Sequence, residues 1–250
     1  MTIDPEDPLA VAVVEAVRTG DQAGLRRLLD AHPGLATARI GDDGPGGTTR
    51  SLLHVATDWP GHVPGGPATV ALLVSAGAEV DARFGGGRHD ETPLHWAASS
   101  NDVEVLDALL DAGADIDAAG GVIAGGTPLA DARAFGQWRA AHRLVERGAR
   151  TTLDDAATLG LLDRLEGYFA GTGPAPGEVD RAFWGACRGG QRACAEYLLE
   201  RGADPNWVPP WEPLTPLDAA ARSGADDLVA WLRTRGARPA AGRGGTDPPG

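Results

Sequence analysis

The chain has 250 residues, a hydrophobic content of 42%, seven Trp and a formal net charge of −13. That is enough apolar material for a buried core, yet no apolar run approaches the roughly 20 residues needed to span a bilayer, and the acidic balance repels phosphate backbones, which argues against nucleic acid as a partner. With 36 Gly and 19 Pro, the core must be built from short elements, so long coiled coils and large continuous sheets are disfavoured.

Met1 to Asp7 carries Asp4, Glu6 and Asp7 and no basic residue, unlike the positive start of a secretory signal. Cys187 and Cys194 are the only cysteines, too few for a disulfide scaffold and without metal-ligand spacing. A cytoplasmic location with no membrane association is expected. All 22 basic residues are Arg. With the wealth of Ala and Gly, that coding bias points to a GC-rich bacterial genome.

In chain order, a weak unit from Val11 to Asp30 leads into a Gly-rich loop, Arg39 to Arg50. Ser51-Leu52-Leu53-His54 then runs to Gly77-Ala78 at a separation of 26 residues, and Glu91-Thr92-Pro93-Leu94-His95-Trp96-Ala97-Ala98 runs to Gly113-Ala114-Asp115 with Thr to Gly at 21. The same 21-residue frame returns from Thr127 to Gly148, from Arg181 to Gly202 and from Thr215 to Gly236, with a weaker copy from Thr151 to Phe169. The longer second unit implies a five-residue insertion around Trp59 to Gly66. About seven units with a period near 35 result: 8–38, 50–84, 91–121, 126–150, 151–172, 180–208 and 214–238.

Each unit reads as two short antiparallel helices. Thr or Ser suits the N-cap, and Pro93, Pro128 and Pro216 suit the first helical position, where a missing N–H costs nothing. A break is expected at Gly20, Asn101, Gly136, Gly160, Gly190 and Gly224. The second helix should close on Gly77, Gly113, Gly148, Gly202 or Gly236 in the left-handed C′ conformation. No unit can bury its apolar face alone, so stacking is the route to a core.

This pattern resembles the ankyrin repeat across roughly residues 8 to 238. The resemblance implies an all-α solenoid of stacked helix pairs with β-hairpin or loop fingers, one array from 1 to 238, and a binding scaffold without chemistry of its own. It also implies that His54 and His95 hydrogen-bond within and between turns. Trp184, Asp218 and Ala130 stand where the motif has His, and Arg133 replaces the second Ala. The stretch from Asp180 to Ala220 is similar to a segment common in bacterial ankyrin proteins. Ala170 to Gly177 reads as a loop inside the array and a candidate joint. Pro239 to Gly250 lacks apolar content and is expected to be disordered.

A protein partner of unknown identity is expected on the concave face and the fingers 39–50, 84–91, 118–126 and 207–214. The candidate contact residues are Asp58, Trp59, Phe84, Arg88, Ser99, Ser100, Phe135, Arg188, Trp207, Trp211 and Arg222. Trp59, beside the insertion, and Trp207 and Trp211, flanking Pro209-Pro210, are large rigid anchors at positions that such proteins use for recognition. Trp96, Trp138 and Trp184 align with core positions.

The alternative is a small-molecule binding protein or enzyme, with a pocket between the 59–66 insertion and the 39–50 and 84–91 fingers. His62, His89, Asp58 and Asp90 would then serve as acid, base or ligands. A phosphate loop is disfavoured because the chain has no Lys, and neither His-x-x-x-His nor Cys-x-x-Cys occurs. No cofactor and no metal are expected. Cys187 and Cys194 align with core positions and read as small buried hydrophobes. Arg139, Arg143 and Arg147 form a stripe that Asp107 and Asp111 of the preceding unit can meet.

Overall fold

The computed structural model describes residues 1–240. They divide into two compact units, Met1–Arg150 and a second that begins at Thr151. Among the described residues there are fourteen α-helices, one 3-10 turn and three short strands.

The first unit opens with β1 (Thr2–Ile3), α1 (Pro8–Thr19) and α2 (Gln22–Ala31). β2 (Arg39–Gly41) and β3 (Thr49–Ser51) follow, then α3 (Leu52–Thr57), α4 (Gly66–Ser75), α5 (Pro93–Ser99), α6 (Val103–Asp111), α7 (Pro128–Ala134) and α8 (Trp138–Glu146). Within this unit α1, α3, α5 and α7 pack in sequence as one layer, and α2, α4, α6 and α8 as a second. Leu52, Leu53, Leu73, Leu94, Leu106, Leu109, Leu129 and Leu144 are fully buried between them. Each contributes about 1.5–3 kcal/mol by leaving water.

Local chemistry explains where the helices begin and stop. The Ser51 and Thr127 hydroxyls accept from the backbone N–H of His54 at 3.3 Å and of Ala130 at 3.3 Å, capping α3 and α7. The breaks at Gly20, Asn101, Gly136, Gly160, Gly190 and Gly224 all adopt positive φ, from 57° to 75°, and the five C′ glycines lie between 83° and 100°. A side chain there meets its own carbonyl, which is why Gly holds all but one of these sites.

The repeats are tied together by one recurring bond. His54 Nε2 lies 3.0 Å from the Glu91 carbonyl oxygen, and His95 Nε2 lies 3.1 Å from that of Gly126. Each acceptor stands immediately before the Thr that caps the next repeat. In the second unit Trp184 Nε1 donates to the Leu214 carbonyl at 2.9 Å. Trp184 therefore replaces the histidine in function as well as in frame. Two of the three Arg of the stripe also meet their acids. On α8, Arg143 Nε lies 2.8 Å from Asp107, and Arg147 reaches Asp107 at 2.7 Å and Asp111 at 2.6 Å on α6.

One edge of the first unit is a three-stranded sheet, with β1 parallel to β2 and β2 antiparallel to β3. Thr49 bridges to Gly85, and Arg39 Nε donates to Thr49 Oγ1 at 2.8 Å. A Cβ at Gly86 would sit 1.9 Å from the Gly47 carbonyl oxygen. Loops 39–50 and 84–91 thus approach as closely as backbone allows.

The second unit contains α9 (Leu153–Thr158), α10 (Leu162–Gly167), α11 (Pro176–Arg188), α12 (Arg192–Leu199), α13 (Pro216–Arg222) and α14 (Asp226–Thr234). Phe183, Leu165, Leu198 and Leu232 are fully buried in its core. Because α9 packs on α11 and α12, and α10 on α12, the division of the chain falls at Arg150–Thr151 and not in the Gly- and Pro-rich segment at 170–177. That segment is also shorter than the sequence suggests. Pro176, preset for the first helical turn, starts α11, so the last two residues of the segment, Pro176 and Gly177, belong to the helix. Of the tail expected to be disordered, Ala240 N–H bonds Asp218 at 2.7 Å, and residues 241–250 lie outside the described residues.

Candidate functional site

In the first unit, Asp58, Trp59, Ser99, Ser100 and Phe135 converge on one cavity of about 270 Å³, together with Glu91, Trp96 and Val122. Asp58 caps the C-terminus of α3, Ser99 and Ser100 close α5, and Phe135 closes α7. The cavity therefore runs across the same end of three consecutive repeats. Trp59 is 80% exposed and Phe135 49%. Large apolar side chains left in water beside a cavity mark recognition surfaces.

The insertion 59–66 is held in place by its neighbour. His62 N–H donates to Asp102 Oδ2 at 2.6 Å, and Gly61, at φ 76°, comes so close to α5 that a Cβ would lie 2.9 Å from Ser100 Cβ. Asp58 is engaged on the other side, 2.7 Å from Arg50 and 3.3 Å from Arg18.

Glu91 forms the polar part of the wall. Its backbone closes the 84–91 loop through the Phe84 N–H at 2.8 Å, which sets its side chain beside Trp96. Only 9% of Glu91 is exposed. Burial raises its carboxyl above the usual range, the charge of Asp131 adds to the rise, and a hydrogen bond from Trp96 and the charge of His89 counter it. Asp131, fully buried, is raised by the same desolvation although it accepts the N–H groups of Ile123 at 3.1 Å and Val122 at 3.3 Å. Among the described residues Glu91 has no ion-pair partner.

Phe84 packs against Trp96 with ring centroids 5.5 Å apart, and Trp96 meets His54 edge-on at 4.9 Å. Trp96 is thus half-buried and lines the cavity, where the repeat frame places it between helices. A second hollow, of about 540 Å³, lies between the 39–50 loop and Phe84, with Arg50 and Trp96 on its walls. Arg88 is exposed on the 84–91 loop.

His62, His89, Asp58 and Asp90 take separate partners. His62 Nδ1 lies 3.8 Å from Asp102, Asp58 is held by two Arg, Asp90 faces Arg83 at 4.0 Å, and the charge of His89 acts on Glu91 and Asp131. Among the described residues no three His, Cys, Asp or Glu are grouped to hold a metal, and no helix is long and apolar enough to cross a membrane.

The remaining candidates belong to the second unit. Trp211, 59% exposed, stands edge-on to both Trp184 at 6.2 Å and Trp207 at 5.9 Å. Arg222 pairs with Glu212 beside them, and Arg188 is half-buried at the end of α11. Glu91 and Val122 were not among the sequence candidates. Glu91 directly precedes a Thr-Pro cap, and nothing local distinguishes it from a solvated acid.

Comparison with known proteins adds to this geometry. Residues 89–120, which include α5 and α6, match the ankyrin repeat family model. Over 183 residues the chain is 31% identical to an ankyrin repeat and KH domain-containing protein, CBG24701, of Caenorhabditis briggsae, covering 69% of this chain and 7% of that protein. The match and the relatives support an ankyrin-repeat protein. Another ankyrin repeat and KH domain-containing protein, mask-1 of Caenorhabditis elegans, is 28% identical over 163 residues, 65% of this chain and 5% of the relative. The palmitoyltransferase AKR1 of Kluyveromyces lactis is 34% identical over 110 residues, 44% of this chain and 13% of that protein. The chain thus spans only a small part of each of these relatives. Ankyrin repeats generally mediate protein–protein interaction.

Proposed function

We propose that this chain is a protein-interaction scaffold of seven repeats, and that its first unit receives a partner in the groove bounded by Asp58, Trp59, Ser99, Ser100 and Phe135. The observation that carries this reading is the exposure of Trp59 and Phe135, which line one cavity, where burial against a partner gains the most. Trp207, Trp211, Arg188 and Arg222 form a separate candidate surface on the second unit. The net charge of −13 favours a partner that is neutral or basic where it touches. A reducing compartment such as the cytoplasm suits two buried, unpaired thiols.

The hollow between Phe84 and the 39–50 loop keeps a small-molecule reading in play. The engaged state of Asp58, His62 and Asp90 gives a catalytic version of it less to stand on. The deciding experiment is affinity capture with the wild type and with a Trp59→Ala, Phe135→Ala variant whose circular dichroism is unchanged. The scaffold reading expects proteins retained by the first and lost by the second. Equal retention by both overturns the groove as the contact surface.

A further inference from the structure

We infer that the groove beneath Trp59 binds an alkylammonium group, presented as a methylated lysine side chain of the partner. The inference rests on the interaction reading and adds the chemistry that the groove recognises.

Three aromatic residues, Trp59, Trp96 and Phe135, line a cavity of about 270 Å³ that Glu91 also lines. The ring faces of Trp and Phe carry partial negative charge, so a cation within about 6 Å of them is attracted, and most strongly by Trp. Trp59, at 80% exposure, has almost no protein covering its ring. Glu91 supplies formal charge where it counts. It is nearly buried, has no ion-pair partner among the described residues, and feels the charges of Asp131 and His89 in opposite directions. A cation entering the cavity meets that field.

The groups available to hydrogen-bond decide which cation fits. Asp58 Oδ2 is already held by both Arg50 and Arg18, and Glu91 is itself nearly buried. A guanidinium brings five N–H donors and a primary ammonium three, and a wall that is mostly apolar satisfies few of them. A methylated ammonium keeps the charge and presents carbon to the rings. The Ser99 hydroxyl beside the cavity is buried without a hydrogen bond among the described residues.

The geometry also explains the insertion. Residues 59–66 interrupt the regular frame only in the second repeat, and the close approach of Gly61 to Ser100 with the His62 to Asp102 bond seats Trp59 beside the cavity. A plain stack needs no such loop.

The test compares choline with 3,3-dimethylbutan-1-ol, in which carbon replaces the charged nitrogen, by calorimetric titration of the full chain. Choline should bind at least about tenfold more tightly. Trp59→Leu should lose that preference, Trp59→Phe should keep part of it, and Glu91→Gln should weaken choline several-fold without weakening the alcohol. Because Trp59 is exposed, its variants leave folding intact. Equal binding of alcohol and choline, or no binding of either, overturns the inference.

A second arm titrates acetyl-trimethyllysine methylamide. Tighter binding than choline supports a side chain of a protein, and weaker binding overturns that source in favour of a free quaternary ammonium compound. The two readings fail separately. A captured protein that trimethyllysine does not displace leaves the scaffold standing and sinks the ammonium site, whereas choline binding with no captured protein does the reverse.

Discussion

His54 Nε2 lies 3.0 Å from the carbonyl oxygen of Glu91, across the boundary between two repeats. A carbonyl can only accept, so Nε2 carries the proton. Nδ1 faces the Ser51 backbone N–H at 3.4 Å as well as its hydroxyl at 2.8 Å; an N–H can only donate, so Nδ1 accepts and the ring is neutral. Burial lowers its pKa to about 4, and Arg39, Arg50 and His95 push in the same direction against the favourable Glu91 bond.

Acid should therefore loosen the first unit. The unfolded chain takes this proton near pH 6.5 and the folded one only near 4, so the neutral ring's contribution is complete above 6.5 and is lost as pH falls toward 4. The full effect is about 3 kcal/mol. Glu91 and Asp131, both raised by burial, act oppositely, because they hold protons more readily when folded. Urea unfolding at pH 7.5 and pH 5 should show a larger drop for the wild type than for His54→Gln. Equal drops would place the acid sensitivity elsewhere.

The ion pairs between α6 and α8 should matter modestly and depend on salt. Asp107 bonds both Arg143 and Arg147 and is partly exposed. Burial works against its charge, but the two guanidiniums outweigh it and hold the carboxyl below its usual range. Asp107→Asn should cost about 1 kcal/mol at low ionic strength. In 1 M salt, where screening acts over about 3 Å, most of that cost should vanish. A loss independent of salt would mean that Asp107 acts through packing.

In the second unit, Gly189 at the end of α11 touches α9. A Cβ there would lie 1.9 Å from the Thr158 carbonyl oxygen, and one at Gly185 would lie 2.5 Å from the Thr158 hydroxyl. Gly189→Ala must push backbone away from backbone and should destabilise this unit by about 1–3 kcal/mol. Gly177→Ala, at the start of the same helix and clear of any neighbour, should be neutral or slightly stabilising. Thermal unfolding of both variants provides the comparison, and similar behaviour would remove close helix approach as the explanation.

Cys187 and Cys194 should resist thiol reagents while the chain is folded. Both are buried. Burial pushes the Cys187 thiol far up and that of Cys194 up to about 11, so little of the reactive thiolate exists near neutral pH. Labelling by an aromatic disulfide at pH 8 should proceed only as fast as the second unit opens. A fast phase without denaturant would show that one thiol is accessible.

How the chain is punctuated was legible in its sequence, because helix caps, first-turn prolines and left-handed glycines are local matters of backbone sterics. Gly113 must adopt positive φ whatever surrounds it, and the 21-residue spacing from Thr92 states where a helix pair begins and ends. The pairing of Arg147 with Asp107 and Asp111 followed from the same frame, since residues one repeat apart become neighbours. Asp58, Trp59, Ser99, Ser100 and Phe135 were candidates from the repeat frame, and tertiary structure added Glu91, Trp96 and Val122 around the same cavity. Glu91 reads as an ordinary surface acid until the 84–91 loop folds back on Trp96, and Trp96 reads as core until it is seen to line a cavity. Whether a side chain is buried, and next to which charge, depends on contacts between repeats that no local pattern encodes. The sequence by itself therefore determined the repeat and its period, and packing determined which aromatics and which carboxyl share a cavity.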